Sequence, residues 1–250
     1  MPAFVPMTKE NARRPENVGE WCDMGYFDGL ADPRGYEDVR FDNRKGYGLT
    51  YWDDRYLGTS RYLIDQFRPL YTYLELGCAK GFYVQAMRML GVEAYGVDIS
   101  NYATENCHPD IKQFLTCGSA TNLSRFRDGS IDLVYSWDFL EHLTREEVKL
   151  CLTESRRVGR RWQRHGITAF DKDYGSIAEC FPKEPQDPTH VSCFTLEWWT
   201  QLIREVFPLD EIYSMDFLGT PFQDGSRRCM LELITRADIK TPLALQEKGA

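Results

Sequence analysis

Five side chains in this 250-residue chain have the types and settings to do chemistry: Glu75, Asp98, Asp138, His142 and His190. Glu75 sits near the end of the apolar run Tyr73-Leu74-Glu75-Leu76 and just before the turn Gly77-Cys78-Ala79-Lys80-Gly81. Asp98 ends a second run, Ala94-Tyr95-Gly96-Val97, after a helix-length stretch. Two apolar strands that end in carboxylates, with a helix between them, make one β-α-β unit. Its acidic groups then lie at the carboxyl edge, where open α/β sheets bind ligands. The glycines allow a tight turn and a close approach of backbone to ligand. Asp98 is placed to accept hydrogen bonds from a ribose diol, so the unit is expected to hold an adenosine-containing cofactor. The histidines add a group that titrates near neutral pH and can remove a proton.

The glycine spacing selects the cofactor. A dinucleotide site needs G-x-G-x-x-G so that a pyrophosphate can rest on a helix N-terminus. This chain has Glu75-x-Gly77-x-x-x-Gly81, with Ala79 at the middle position. A carboxylate before the turn would repel a pyrophosphate and suits a cofactor with a cationic amine, S-adenosylmethionine (SAM). Glu75-Leu76-Gly77-Cys78-Ala79-Lys80-Gly81 and Gly96-Val97-Asp98-Ile99-Ser100 resemble the first two motifs of class I SAM-dependent methyltransferases. Phe114-Leu115-Thr116-Cys117-Gly118-Ser119-Ala120 stands where that family has a third strand and an adenine-contacting loop. The family often has aspartate at Ser119, whose hydroxyl can also bond an adenine amine. Asp128 to Leu143, with Asp138-Phe139-Leu140-Glu141-His142-Leu143, is similar to the fourth strand and following loop of the small-molecule methyltransferase group.

The resemblance spans roughly Tyr71 to Arg236. It implies a Rossmann-like seven-stranded, mostly parallel sheet flanked by helices. It also implies a cofactor cradle of Glu75, Gly77, Cys78, Gly81, Asp98, Ile99, Ser119, Ala120, Ser136 and Trp137, joined by Tyr51 from an N-terminal helical cap. The product would be S-adenosylhomocysteine. The activity implied is methyl transfer to a small molecule, at the oxygen of a metabolite or sugar. A small amine is the alternative acceptor, and a SAM-binding regulatory protein without turnover is the alternative class.

Three parts must position these groups: a cap over residues 1–60 rich in Gly, Asp, Arg and aromatics, a core over 61–236, and a flexible tail over 237–250. Leu57 to Phe67 reads as a helix stopped by Pro69, and Gly81 to Leu90 as the first core helix, ended by Gly91. Thr144 and Glu147 form a capping box that opens a helix expected to run to about Trp162. Its basic end, Arg156-Arg157 through Arg164, is read as a solvated terminus in keeping with the dipole, with an anion or nucleic-acid patch as the rival reading. Gly166 to Phe170 is the expected fifth strand. Thr195 caps a helix over Leu196 to Val206, and Glu211 to Phe217 with Arg228 to Thr235 form an antiparallel edge. The connection Asp171 to Cys193 is long enough to be functional and lies above the cofactor edge. It contains Asp187-Pro188-Thr189-His190, which makes His190 the first choice as general base and His142 the second. Asp138 is a further base or orienting group. His108 and His165 are expected to be solvated.

Composition bounds the rest. The net charge of −8 gives no global attraction to nucleic acid. No apolar run approaches the ~20 residues of a membrane span, and the N-terminus lacks the pattern of a signal peptide. Eight cysteines without C-x-x-C pairing read as reduced thiols of a cytoplasmic protein, with Cys78, Cys117, Cys151 and Cys229 in strands, helices or a tight turn. His190 and Cys193 with Cys180 lack a fourth zinc ligand, and no metal is expected. Neighbouring Trp198 and Trp199 point about 100° apart on a helix, so both cannot face the core.

Overall fold

The computed structural model describes residues 52–174, 190–218 and 228–237. The expected cap through Tyr51, most of the post-strand connection (175–189) and the tail from 238 lie outside the described residues. A seven-stranded sheet forms in the order β3-β2-β1-β4-β5-β7-β6. The strands are β1 (Thr72–Leu76), β2 (Glu93–Asp98), β3 (Leu115–Cys117), β4 (Ile131–Trp137), β5 (Gly159–Phe170), β6 (Ile212–Leu218) and β7 (Arg228–Arg236). β1 pairs in parallel with both β2 and β4, so the winding direction reverses beside β1. The crevice at the carboxyl end of such a switch point is where this architecture binds ligands. β7 runs antiparallel to both of its neighbours, β5 and β6, and the other pairs are parallel.

Both faces of the sheet are covered, which explains why β1 and β4 read as near-continuous apolar runs. Helices α1 (Gly58–Gln66) and α2 (Phe82–Met89) cover one face, where Leu63, Phe67, Val84 and Met87 pack on Tyr73, Leu133 and Tyr135. A short helix α3 (Asn101–Glu105) follows β2. Helices α4 (Arg145–Val158) and α5 (Leu196–Val206) cover the other face, where Leu152, Trp199 and Ile203 pack on Leu74, Val134 and Ile167.

The local signals act as chemistry requires. Gly81 precedes α2 at φ +72, and a Cβ there would meet Leu115 and Ile111 side chains within 3 Å. The capping box of α4 closes in both directions, with the Thr144 N–H donating to Glu147 Oε2 at 2.8 Å and the Glu147 N–H to Thr144 Oγ1 at 3.4 Å. Thr195 Oγ1 accepts from the Trp198 N–H and starts α5 at the expected residue. Trp199 enters the core, while Trp198 stacks on Phe194 and faces Arg145. A π-turn over Trp52–Leu57 leads into α1 and sets the Tyr56 ring against Phe82 and Tyr83, anchoring the entering chain on the start of α2.

The expected helix end was misplaced. α4 stops at Val158, and Gly159 starts β5 seven residues before the expected Gly166. The arginine run is therefore split between a helix and a strand, and its charges meet acids of this chain. Arg156 binds Glu211, Arg157 binds Glu154 and Asp128, Arg160 binds the buried Asp132, and Arg164 binds Glu232. Neither a solvated helix end nor an anion patch describes these arginines. Cys117 is exposed, against the expectation of burial; Cys78 and Cys151 are buried and Cys229 is partly buried.

His165 is the second correction. It is fully buried on β5, with Nδ1 2.8 Å from Ser136 Oγ and Nε2 beside Gln163 Oε1 and Ser155 Oγ. Burial lowers its pKa to about 3. The unfolded chain therefore takes up a proton near pH 6.5 that the folded state refuses, and stability is lost as pH falls from about 6.5 towards 3. Urea melts at pH 7, 5 and 4 should show this loss, with about 3 kcal/mol assignable to His165 by the lowest pH. His165→Gln should flatten the decline; an unchanged slope would remove His165 as its source.

Candidate active site

The carboxyl ends of β1 and β2 are tied into one turn. The Gly77 and Cys78 N–H groups both donate to the Val97 carbonyl, at 2.8 and 3.1 Å. Gly77, Ala79 and Gly81 all have positive φ, so the turn presents amides rather than side chains. The Ala79 N–H donates to Asp98 Oδ2 at 2.7 Å and the Ser100 N–H to Asp98 Oδ1 at 2.8 Å. A carboxylate has about four lone-pair sites. The two amides fix the Asp98 carboxylate and leave capacity for the two hydroxyls of a ribose. Burial raises the Asp98 pKa, opposed by the amides of Ser100 and Ala79 and by the charge of His142. Ile99 follows, 44% exposed, and Ser100 caps α3 by accepting from the Ala103 N–H.

Glu75 is the most unusual group at this edge. It is 7% exposed, with the Val84 N–H in the first turn of α2 as a donor, and its Oε2 is buried with no hydrogen-bond partner. Burial raises its pKa well above the ordinary value, and the charge of Asp98 raises it further. A buried carboxylate with an unmet oxygen is costly unless a cation or strong donor reaches it. These residues fit SAM, which carries an ammonium and a sulfonium.

The remaining predicted cofactor residues divide. Ser119 and Ala120 lie in the turn after β3, which is held beside β2 by the Gly118 N–H bond to the Asp98 carbonyl. The Ser119 hydroxyl bonds Thr121. The Cys78 sulfur fills the space where Gly96 lacks a side chain, and burial pushes its thiol pKa well up. Ser136 points away, because successive strand residues face opposite sides and its hydroxyl is bonded to His165 beneath the sheet. Trp137 lies on the Glu75 side, flat against Gly166, where a Cβ would come 2.6 Å from the indole. Tyr51 is outside the described residues.

The segment after β4 carries the candidate catalytic groups. Asp138 adopts φ +48 and its N–H reaches the Gly166 carbonyl at 3.3 Å. Phe139 then lies over the glycine turn: a Cβ on Gly77 would come 2.3 Å from its ring. His142 ends a short 3-10 helix, Leu140–His142, and its ring meets His190 edge to face with centroids 4.4 Å apart. The fold thus brings both candidate bases together, though they are 48 positions apart in sequence. His108 caps a surface 3-10 turn, as expected, by accepting from the Asp110 N–H. Among the described residues no three His, Cys, Asp or Glu side chains form a metal-binding group.

Sequence reasoning missed Ala79, Ser100 and Phe139. Ser100 carried a legible signal, since a serine directly before a helix is a favoured cap. The role of Phe139 depends on a contact 62 residues away and has no local signature.

Residues 74–162 match the family model of a methyltransferase domain. No curated protein sequence matches the chain. A SAM-dependent methyltransferase from Archaeoglobus fulgidus is similar in fold at 15% identity, with a TM-score of 0.54 over 76% of this chain and 99% of that one. Magnesium protoporphyrin IX methyltransferase from Synechocystis, solved with bound SAM, is 14% identical over 87% of this chain and 95% of that one, TM-score 0.55. The 1,6-didemethyltoxoflavin-N1-methyltransferase of Burkholderia thailandensis, solved with S-adenosylhomocysteine, is 14% identical over 75% and 80%, TM-score 0.51. Residues 74–162 thus carry a methyltransferase domain, set in a sheet with the fold of SAM-dependent methyltransferases and with the carboxylates of Glu75 and Asp98 at its switch-point turn.

Proposed function

We propose that this enzyme methylates a hydroxyl of a small molecule and that His190 removes the proton. The observation that carries this reading is the meeting of His142 and His190 on the segments after β4 and β5, beside Asp98. SAM, when bound, supplies an electrophilic methyl group on a sulfonium. Glu75 would meet its positive charge, Asp98 would hold its ribose, and the turns at Gly77–Gly81 and Ser119–Ala120 would flank it. His190 accepts the acceptor's hydroxyl proton, with Asp138 orienting the acceptor from the loop after β4. A positioned base of this kind contributes roughly 10²–10⁴-fold. Paired imidazoles would be of little use to a neutral amine, which needs less help with its proton. Nitrogen methylation is the second reading, and the Burkholderia relative is by its name an N-methyltransferase. Nucleic acid is a poor acceptor for a chain of net charge −8 in which Arg156, Arg157, Arg160 and Arg164 are paired with acids of the same chain.

Incubation of the full chain with methyl-labelled SAM and a metabolite extract, followed by mass spectrometry, tests the reading. The label should appear on oxygen of a small product. Label on nitrogen alone would overturn the oxygen assignment. SAM binding without any transfer would make the chain a SAM-binding regulatory protein.

A further inference from the structure

The contact between His142 and His190 is built, not incidental. Their ring planes meet at 88°. The backbone on either side is stapled: the Val191 and Ser192 N–H groups both donate to the Glu141 carbonyl at 3.0 Å, and the buried Ser192 hydroxyl donates to the Leu143 carbonyl. The residues flanking His142 thus grip those following His190, so the two backbone segments that carry the rings are held together.

We propose that His142 and His190 form one two-imidazole unit that carries a single proton through the neutral range, with His142 as the positioning residue that keeps His190 neutral. This rests on the reading of His190 as the proton acceptor. The edge of a cationic imidazolium against the face of a neutral ring is favourable. Two cations at the same separation repel, which at an effective protein dielectric separates the two protonations by on the order of 1–3 pH units. The pair then titrates as a unit.

Among the described residues, the ionisable groups near the pair in the chain and on the neighbouring strand end are Asp98 at the end of β2, Asp138 and Glu141 after β4, and Cys193 after β5. Asp98 feels the charge of His142, and in the proposed unit the first proton is held on His142. His190 then stays neutral at pH values where an isolated histidine would already be half protonated.

The test needs neither cofactor nor acceptor, so it can fail or succeed independently of the functional reading. Histidine-15N spectra of the full chain are recorded from about pH 4.5 to about pH 9, with assignment by single substitution, in wild type and His142→Phe. Phenylalanine keeps a ring in the contact and removes the competing charge. The His190 midpoint should be higher in His142→Phe than in wild type by about one pH unit or more. An unchanged or lower midpoint overturns the proposal. If His142→Phe does not fold, His142→Gln is read in the same way, with the same two outcomes.

Discussion

Gly77→Ala should weaken SAM binding by about 100-fold or more, because strain and displacement together approach 3 kcal/mol at roughly 1.4 kcal/mol per tenfold. Two observations set the size. Gly77 adopts φ +69, a region that costs a side-chain-bearing residue about 1–2 kcal/mol. Its new Cβ would also lie 2.3 Å from the Phe139 ring, so that ring or the turn must shift. Gly91→Ala is the internal control. It has φ +85 with nothing within 4 Å of a built Cβ. It should lower stability by about 1 kcal/mol and leave SAM affinity unchanged. Adding Phe139→Ala to Gly77→Ala removes the clash but not the strain, so affinity should recover in part. Calorimetric titration of the four proteins checks this. Wild-type affinity in Gly77→Ala would show that the turn does not approach the cofactor.

With an acceptor in hand, His190→Ala should reduce kcat by about 100-fold or more while SAM affinity stays unchanged, the signature of a group used only in the transition state. His142→Ala should cost less in kcat or should lower stability, since its ring supports His190 rather than touching the reacting atoms. If His142→Ala loses turnover in a folded protein and His190→Ala does not, the roles are reversed. If neither matters, positioning alone carries the reaction and the acceptor is an amine.

Much of this fold was written in short-range signals. β1, β2 and β4 are buried on both faces and stand out as apolar runs, and the caps at Thr144 and Thr195 lie where local hydrogen bonding demands. The end of α4 was hidden because polar side chains after Val158 imitate a solvated helix. They are polar because their partners are distant: Asp132 is 28 residues from Arg160, and Glu232 is 68 from Arg164. His165 was hidden for the same reason, with Ser136 29 residues away. At the site, Glu75 and Asp98 were legible because strand-end carboxylates have few structural reasons to be there. Ser136 was named through the resemblance, and its bond to His165 needs a strand 29 residues away. The positive φ of Ala79 and Asp138 and the cover of Phe139 over Gly77 arise only when β1, β2 and β4 align.

The proposed cofactor site turns on Asp98, whose carboxylate is held by the Ala79 and Ser100 amides. Titration of SAM into wild type and Asp98→Ala by calorimetry is therefore the most direct measurement. Losing charge-assisted bonds should cost about 1.5–3 kcal/mol, or roughly ten- to more than a hundredfold in affinity, in a protein whose circular dichroism matches wild type. Equal affinity in the two proteins would contradict a cofactor site at the carboxyl ends of β1 and β2.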